Sequence, residues 1–131
     1  MAIQYRISRR KNNIATNAET NYILQAVSTG EIDIERLSYE ISTESTLSET
    51  DVRAVLDALG RKMRQHLEDG KTVSLENIGR FKIGFKSVAQ PNKSLLRTAE
   101  VSKFHINYQP SVKLKRWLKK GIALKKEKTK K

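Results

Sequence analysis

Residues 73–85, Val-Ser-Leu-Glu-Asn-Ile-Gly-Arg-Phe-Lys-Ile-Gly-Phe, constrain this 131-residue chain more than any other stretch. A short apolar run, a turn at residues 77–79 and the alternation of Phe81, Ile83 and Phe85 predict a β-hairpin with one apolar face. Successive strand side chains point to opposite sides, so Arg80, Lys82 and Lys86 fall on the other face. A sheet that is dry on one side and cationic on the other, followed by a basic loop, suits a polyanionic partner. Nucleic acid is the first candidate.

Charge sharpens this reading. The formal net charge is +12, from 26 Lys and Arg against 14 Asp and Glu. Acidic residues gather between positions 31 and 76, whereas both ends and the segment after Arg80 are basic. Such segregation marks one surface for an anionic partner and leaves the rest solvated. A basic tail can also do no more than keep a chain soluble, and charge alone leaves that reading open. The length accommodates one domain with appendages. An apolar content of 37% suffices for a small core, especially one that a second subunit helps to cover. The chain has no cysteine, hence no disulfide framework and no thiolate ligand or nucleophile, which fits a reducing compartment. No secretory apolar segment opens the sequence and no later run is long enough to span a bilayer. The expectation is a soluble, cytoplasmic protein with no membrane partner.

Residues 2–10 alternate Ile3, Tyr5 and Ile7 against Gln4, Arg6 and Ser8, which predicts a strand, and residues 22–27 are a second candidate. Lys11, Asn12, Asn13, Thr16 and Asn17 supply turn chemistry between them. The two pieces can pair with each other or extend another sheet; the sequence leaves both open. Asp33 is a candidate N-cap for a helix carrying Ile34, Leu37 and Ile41. Residues 42–46 break it, and Ser48 opens a longer helix with Asp51 in the capping-box position. Val52, Val55, Leu56, Leu59, Met63 and Leu67 form its apolar stripe, which Asp69 and Gly70 close. So long a stripe needs more cover than one small chain provides, and an identical subunit is the expected source. Beyond the hairpin lies a polar, basic excursion at residues 87–102, then Phe104, Ile106 and Tyr108 in a strand that can return beside residues 81–85. Pro110 and Ser111 start a last helix with Leu114, Trp117 and Leu118 inward and Lys113, Arg116 and Lys120 outward; Gly121 ends it.

This order of helix, turn, long amphipathic helix, three strands with a basic excursion and short basic helix resembles the HU/IHF family of bacterial histone-like DNA-binding proteins. Thr46-Leu-Ser-Glu-Thr-Asp51 resembles the family's inter-helix turn. Leu67-Glu-Asp-Gly-Lys-Thr-Val-Ser-Leu75 resembles its helix-to-strand passage. Asn77-Ile-Gly-Arg-Phe81 is similar to its hairpin and keeps Gly79 and Phe81. Tyr108-Gln-Pro-Ser-Val-Lys-Leu-Lys115 resembles its last strand-to-helix join. The likeness spans about residues 32–120, and the extended ends are most like the HU-like proteins of Bacteroidetes. The resemblance implies an α+β fold with two N-terminal helices, a three-stranded antiparallel sheet bearing an arm, and a short C-terminal helix. It also implies a nucleoid homodimer that binds double-stranded DNA with little sequence specificity. The expected divisions are a β extension at residues 1–30, an HU-like DNA-binding domain at 31–121 and a basic, disordered tail at 122–131. One departure stands out. The family's arm ends in an Arg-Asn-Pro tip that wedges between base pairs, and residues 87–102 contain no such triplet.

The candidate DNA contacts are Arg80, Lys82, Lys86, Lys93, Arg97 and Lys103 on the hairpin and excursion, with Lys113, Arg116 and Lys120 around the last helix. Each phosphate they neutralise adds affinity by counterion release without any base contact. Any single one can instead be a solvated surface residue. Pro91 is a possible wedge in the minor groove, while Leu95 and Leu96 are expected to pack on the chain's own sheet. Phe81, Phe85, Phe104, Tyr108 and Trp117 sit at core-facing spacing. His66 and His105 have no second ligand at metal spacing, so no metal site is expected. Ser42, Ser45 and Ser48 belong to a turn and a cap, and no phosphate loop or nucleophile elbow is present. Neither an enzyme nor a cofactor is therefore expected. The rival reading is a protein–protein or assembly module, in which the excursion folds onto its own sheet and DNA binding is reduced or lost.

Overall fold

The computed structural model describes residues 1–11 and 20–128. Among these residues it is a mixed α+β chain with three α-helices and two three-stranded sheets. The chain falls into two units: Ile34–Lys119, and Met1–Asp33 together with Lys120–Lys131. No helix among the described residues is long and apolar enough to cross a membrane.

The first sheet belongs to the terminal unit. Strand β1, Ile3–Lys11, pairs antiparallel with β2, Thr20–Val27, in the register Tyr5↔Ala26, Ile7↔Leu24 and Arg9↔Tyr22. The two N-terminal segments thus pair with each other, which settles the choice that the sequence left open. The expected turn falls on residues 12–19, outside the described residues, apart from Lys11, which ends β1. One expectation is corrected. Leu124–Lys126, assigned to a disordered tail, forms a strand, numbered β6 in chain order, that runs parallel to β1 with Ile3 opposite Leu124. The physical reason is the open edge of β1. The Ile3 N–H donates to the Ala123 carbonyl at 2.8 Å, the Glu127 N–H donates to the Tyr5 carbonyl at 2.9 Å, and Arg6 pairs with Glu127 at 3.3 Å. Backbone pairing at a vacant edge is available to any sequence, so a lysine-rich composition does not forbid it.

In the second unit, α1 (Ile34–Thr43) starts directly after Asp33. Helix α2 (Glu49–Glu68) starts at Ser48, whose hydroxyl accepts from the Asp51 N–H at 3.1 Å. It ends as its Gly70 predicts. The Gly70 N–H donates to the Leu67 carbonyl and the Lys71 N–H to the His66 carbonyl, with Gly70 at φ 79°, the paired closure that favours glycine. Helix α1 packs along α2, and α2 lies against β3 (Val73–Leu75) and β4 (Gly79–Lys86). Strand β5, Ser102–Pro110, completes the order β3-β4-β5, and α3, Val112–Lys119, follows it.

The core of this unit is thin. Val52 and Leu67 are buried at 3% and 7% exposure, whereas Val55 of the same stripe remains 58% exposed. Phe85, Tyr108, Trp117 and Leu118 are about half exposed, and Phe104 reaches 71%. The expectation that these aromatics and Leu118 pack in a core is not met within one chain, which leaves them about half exposed or more. Helix α2 backs β3 and β4, and the described chain puts no second helix over the far end of β5. The hydrophobic driving force still acts on that uncovered area.

Candidate nucleic-acid interface

The site is built by the alternation of β4 against β5. Phe81 faces Tyr108, Ile83 faces Ile106 and Phe85 faces Phe104. The Phe81 and Tyr108 rings stack with centroids 5.0 Å apart, and Phe85 meets Phe104 edge-on at 6.0 Å. On the other face Arg80 lies opposite Gln109, Lys82 opposite Asn107 and Gly84 opposite His105. The apolar face that the hairpin sequence predicts is therefore carried across two strands, while the cations of the other face stand on β4 opposite polar residues of β5. Beyond Phe85 the register slips by one residue, so that Lys86 faces Ser102 and Lys103 takes a positive φ of 49°. That bulge ends the regular ladder where the excursion leaves the sheet.

The turn at residues 77–79 is anchored to the start of α3. Gly79 is buried with φ 149°, and a Cβ there would collide with the Gln109 carbonyl oxygen and lie 2.7 Å from Tyr108. The Tyr108 hydroxyl donates to the Ile78 carbonyl at 2.9 Å, and the Ser111 N–H donates to the same oxygen at 3.1 Å. Ser111 also caps α3, accepting from the Leu114 N–H at 3.3 Å. Lys113 donates to the Asn77 side-chain oxygen at 3.0 Å. This anchoring holds the cations of α3 beside those of the sheet. Arg80, Lys113 and Lys115 line one open groove of about 560 Å³, with Ser74, Glu76 and Gln109. Arg80 and Lys82 share a neighbouring depression with Thr72, Asn107 and Gln109. Lys82, Arg80, Lys113 and Lys115 thus form one continuous band, tempered by the single carboxylate of Glu76.

The other candidate residues are more dispersed. Lys86 continues the polar face of β4, and Lys103 sits at the bulge. Arg116 is exposed on α3 and does not line the groove, while Lys120 groups with the terminal unit. Lys93 and Arg97 stand on the excursion, which carries two single 3-10 turns, Lys93–Leu95 and Thr98–Glu100. Residues 91–100 are all exposed, Pro91 among them. The expectation that Leu95 and Leu96 pack on the sheet is overturned, since Leu96 is 53% exposed and Leu95 is 45% exposed. Each 3-10 turn closes on its own backbone, through Leu96 N–H to Lys93 carbonyl and Val101 N–H to Thr98 carbonyl. The excursion therefore holds its shape locally without resting on the sheet.

Reasoning from cations alone overlooks the polar column His105, Asn107 and Gln109, which shares the polar face with Arg80 and Lys82. The available signal was the alternation of β5. Once Phe104, Ile106 and Tyr108 are assigned inward, the intervening residues must face outward.

The fold is thus a helix-backed antiparallel sheet with one apolar face and one cationic face, extended by a basic excursion. The model of the HU-HIG family, described as an HU domain fused to wHTH, Ig, or Glycine-rich motif, matches residues 1–126, and the chain belongs to that family. A crystallised protein from Bacteroides vulgatus ATCC 8482, described as a proposed bacterial DNA-binding protein, shares the fold with a TM-score of 0.68 at 15% identity. The alignment covers 98% of this chain and 50% of that one, so this chain spans about half of that protein's length. No curated protein matches the sequence.

Proposed function

We propose that this chain is an architectural protein of the bacterial nucleoid that binds double-stranded DNA with little sequence preference. Contact is made by phosphate neutralisation from the polar face of the β3-β4-β5 sheet, the start of α3 and the excursion. The single observation that carries this reading is the band Lys82, Arg80, Lys113 and Lys115 on one surface, opposite the Phe81, Ile83 and Phe85 face. A continuous cationic strip can follow a sugar–phosphate rail, and it reads charge and shape in preference to base edges. Membership of a family defined by an HU domain supports the reading. Lys86, Lys103 and Arg116 extend the strip, Lys93 and Arg97 reach from the excursion, and Lys120 follows α3. Exposed Pro91 is the candidate wedge.

On this reading residues 31–121 act as the DNA-binding domain in an HU-like arrangement, with residues 1–30 as an extension. The working form is a homodimer, in which the half-exposed Leu37, Ile41 and Val55 of α1 and α2, with Phe104 and Ile106 of β5, are covered by the second copy. The assembly-module alternative requires the excursion to fold onto its own sheet. The exposure of residues 91–100 favours the DNA reading instead. The test is a competition series in which two duplexes of unrelated sequence and a structured RNA displace a labelled duplex. The two duplexes should compete within about threefold of each other, because phosphate contacts carry no sequence information directly. A strong preference for the RNA, or for one duplex, would contradict the proposal.

A further inference from the structure

We infer that His105 is a nucleic-acid contact which links binding to proton uptake, an inference that rests on the DNA-facing role of the sheet's polar side. His105 lies directly across from Gly84. A Cβ at position 84 would stand 2.5 Å from Nε2 and 2.9 Å from Cε1 of His105, and 3.1 Å from the Asn107 side-chain nitrogen. The imidazole therefore leans over the bare backbone of β4, in a notch that exists because residue 84 has no side chain. The notch opens to solvent, and His105 is exposed.

The charged residues that the strand register places beside this notch are basic. Strand β4 contributes Lys82 and Lys86 on either side of Gly84, with Arg80 further along; β5 contributes Lys103 and the neutral Asn107; β3 contributes Ser74, opposite Arg80. The acid of the excursion, Glu100, sits on its second 3-10 turn. Among the described residues no hydrogen bond or ion pair joins His105 to a carboxylate. A phosphate following the cationic strip passes over a titratable donor that has no internal acid to satisfy it. Imidazole changes charge near neutral pH, and an anion that accepts its hydrogen bond favours the protonated form. Binding then takes up a proton at His105. Affinity is highest when the imidazole arrives charged and falls as pH rises through the histidine range.

The experiment measures duplex affinity of the full chain at pH 6 and pH 8 under constant ionic strength, for the parent, His105→Gln, His105→Lys and the control His66→Gln on α2. Parent and His66→Gln should weaken by roughly three- to tenfold over this span, an average uptake of about a quarter to half a proton, since a full proton over two pH units would give about a hundredfold. His105→Gln should bind with nearly pH-independent affinity at the parent's pH 8 level, and His105→Lys should hold the pH 6 level throughout. Circular dichroism of each variant establishes that the fold is kept. The same pH slope in His105→Gln as in the parent would overturn the inference, as would a parent with no slope at all. If the parent binds at neither pH, the DNA reading itself falls, and this inference with it.

Discussion

At the residue scale, Gly79 shows how one side-chain-free position fixes the site. Its positive φ and the close approach of the Gln109 carbonyl leave no room for a methyl group. Gly79→Ala should destabilise folding by about 2 kcal/mol or more, from an unfavourable backbone conformation combined with a steric clash. Chemical denaturation checks this, and an unchanged midpoint would contradict it. The sequence marked Gly79 as a turn residue but did not reveal what presses on it, because the contact comes from residues 108 and 109, thirty positions away. The same limit hid Gly84. A glycine inside a strand reads as a weak spot until the partner strand shows His105 lying across it.

At the element scale, what was legible depended on whether the cause was local. The β-hairpin, the Ser48 cap and the Gly70 stop are written in adjacent residues, and each occurs where the pattern puts it. The strands β1 and β2 were also legible from their alternation, whereas their pairing was not. Strand β6 was invisible. Nothing in Leu124, Lys125 and Lys126 signals a strand, and its cause is the edge of β1 more than a hundred residues earlier. This gives a direct prediction. A chain ending at Gly121 should lose the hydrogen bond from the Ile3 N–H to the Ala123 carbonyl, so hydrogen exchange at the Ile3 amide should accelerate toward the unprotected rate. Equal protection of that amide in the full and shortened chains would mean that β6 does not pair there.

At the scale of the whole molecule, the thin core and the charge separation make two demands. The apolar surface on α1, α2 and β5 is exposed, and in the proposed homodimer an identical copy covers it. The full chain should run as a dimer in light scattering coupled to size exclusion. Val55→Lys combined with Leu59→Lys should shift it to monomer, because each places a charge where apolar contact is required. A parent that stays monomeric at high micromolar concentration would contradict this. The second demand concerns the cationic strip, whose function depends on several charges acting together and not on any one of them. The most direct test is the salt dependence of duplex binding, comparing the parent with a variant carrying Arg80→Ala, Lys82→Ala and Lys115→Ala. Parent affinity should fall steeply and linearly on logarithmic axes, and the triple variant should lose about one unit of slope for each phosphate contact removed, roughly three in all. A parent whose affinity ignores salt, or a triple variant with the parent's slope, would show that the β4 and α3 cations are not the surface that meets DNA.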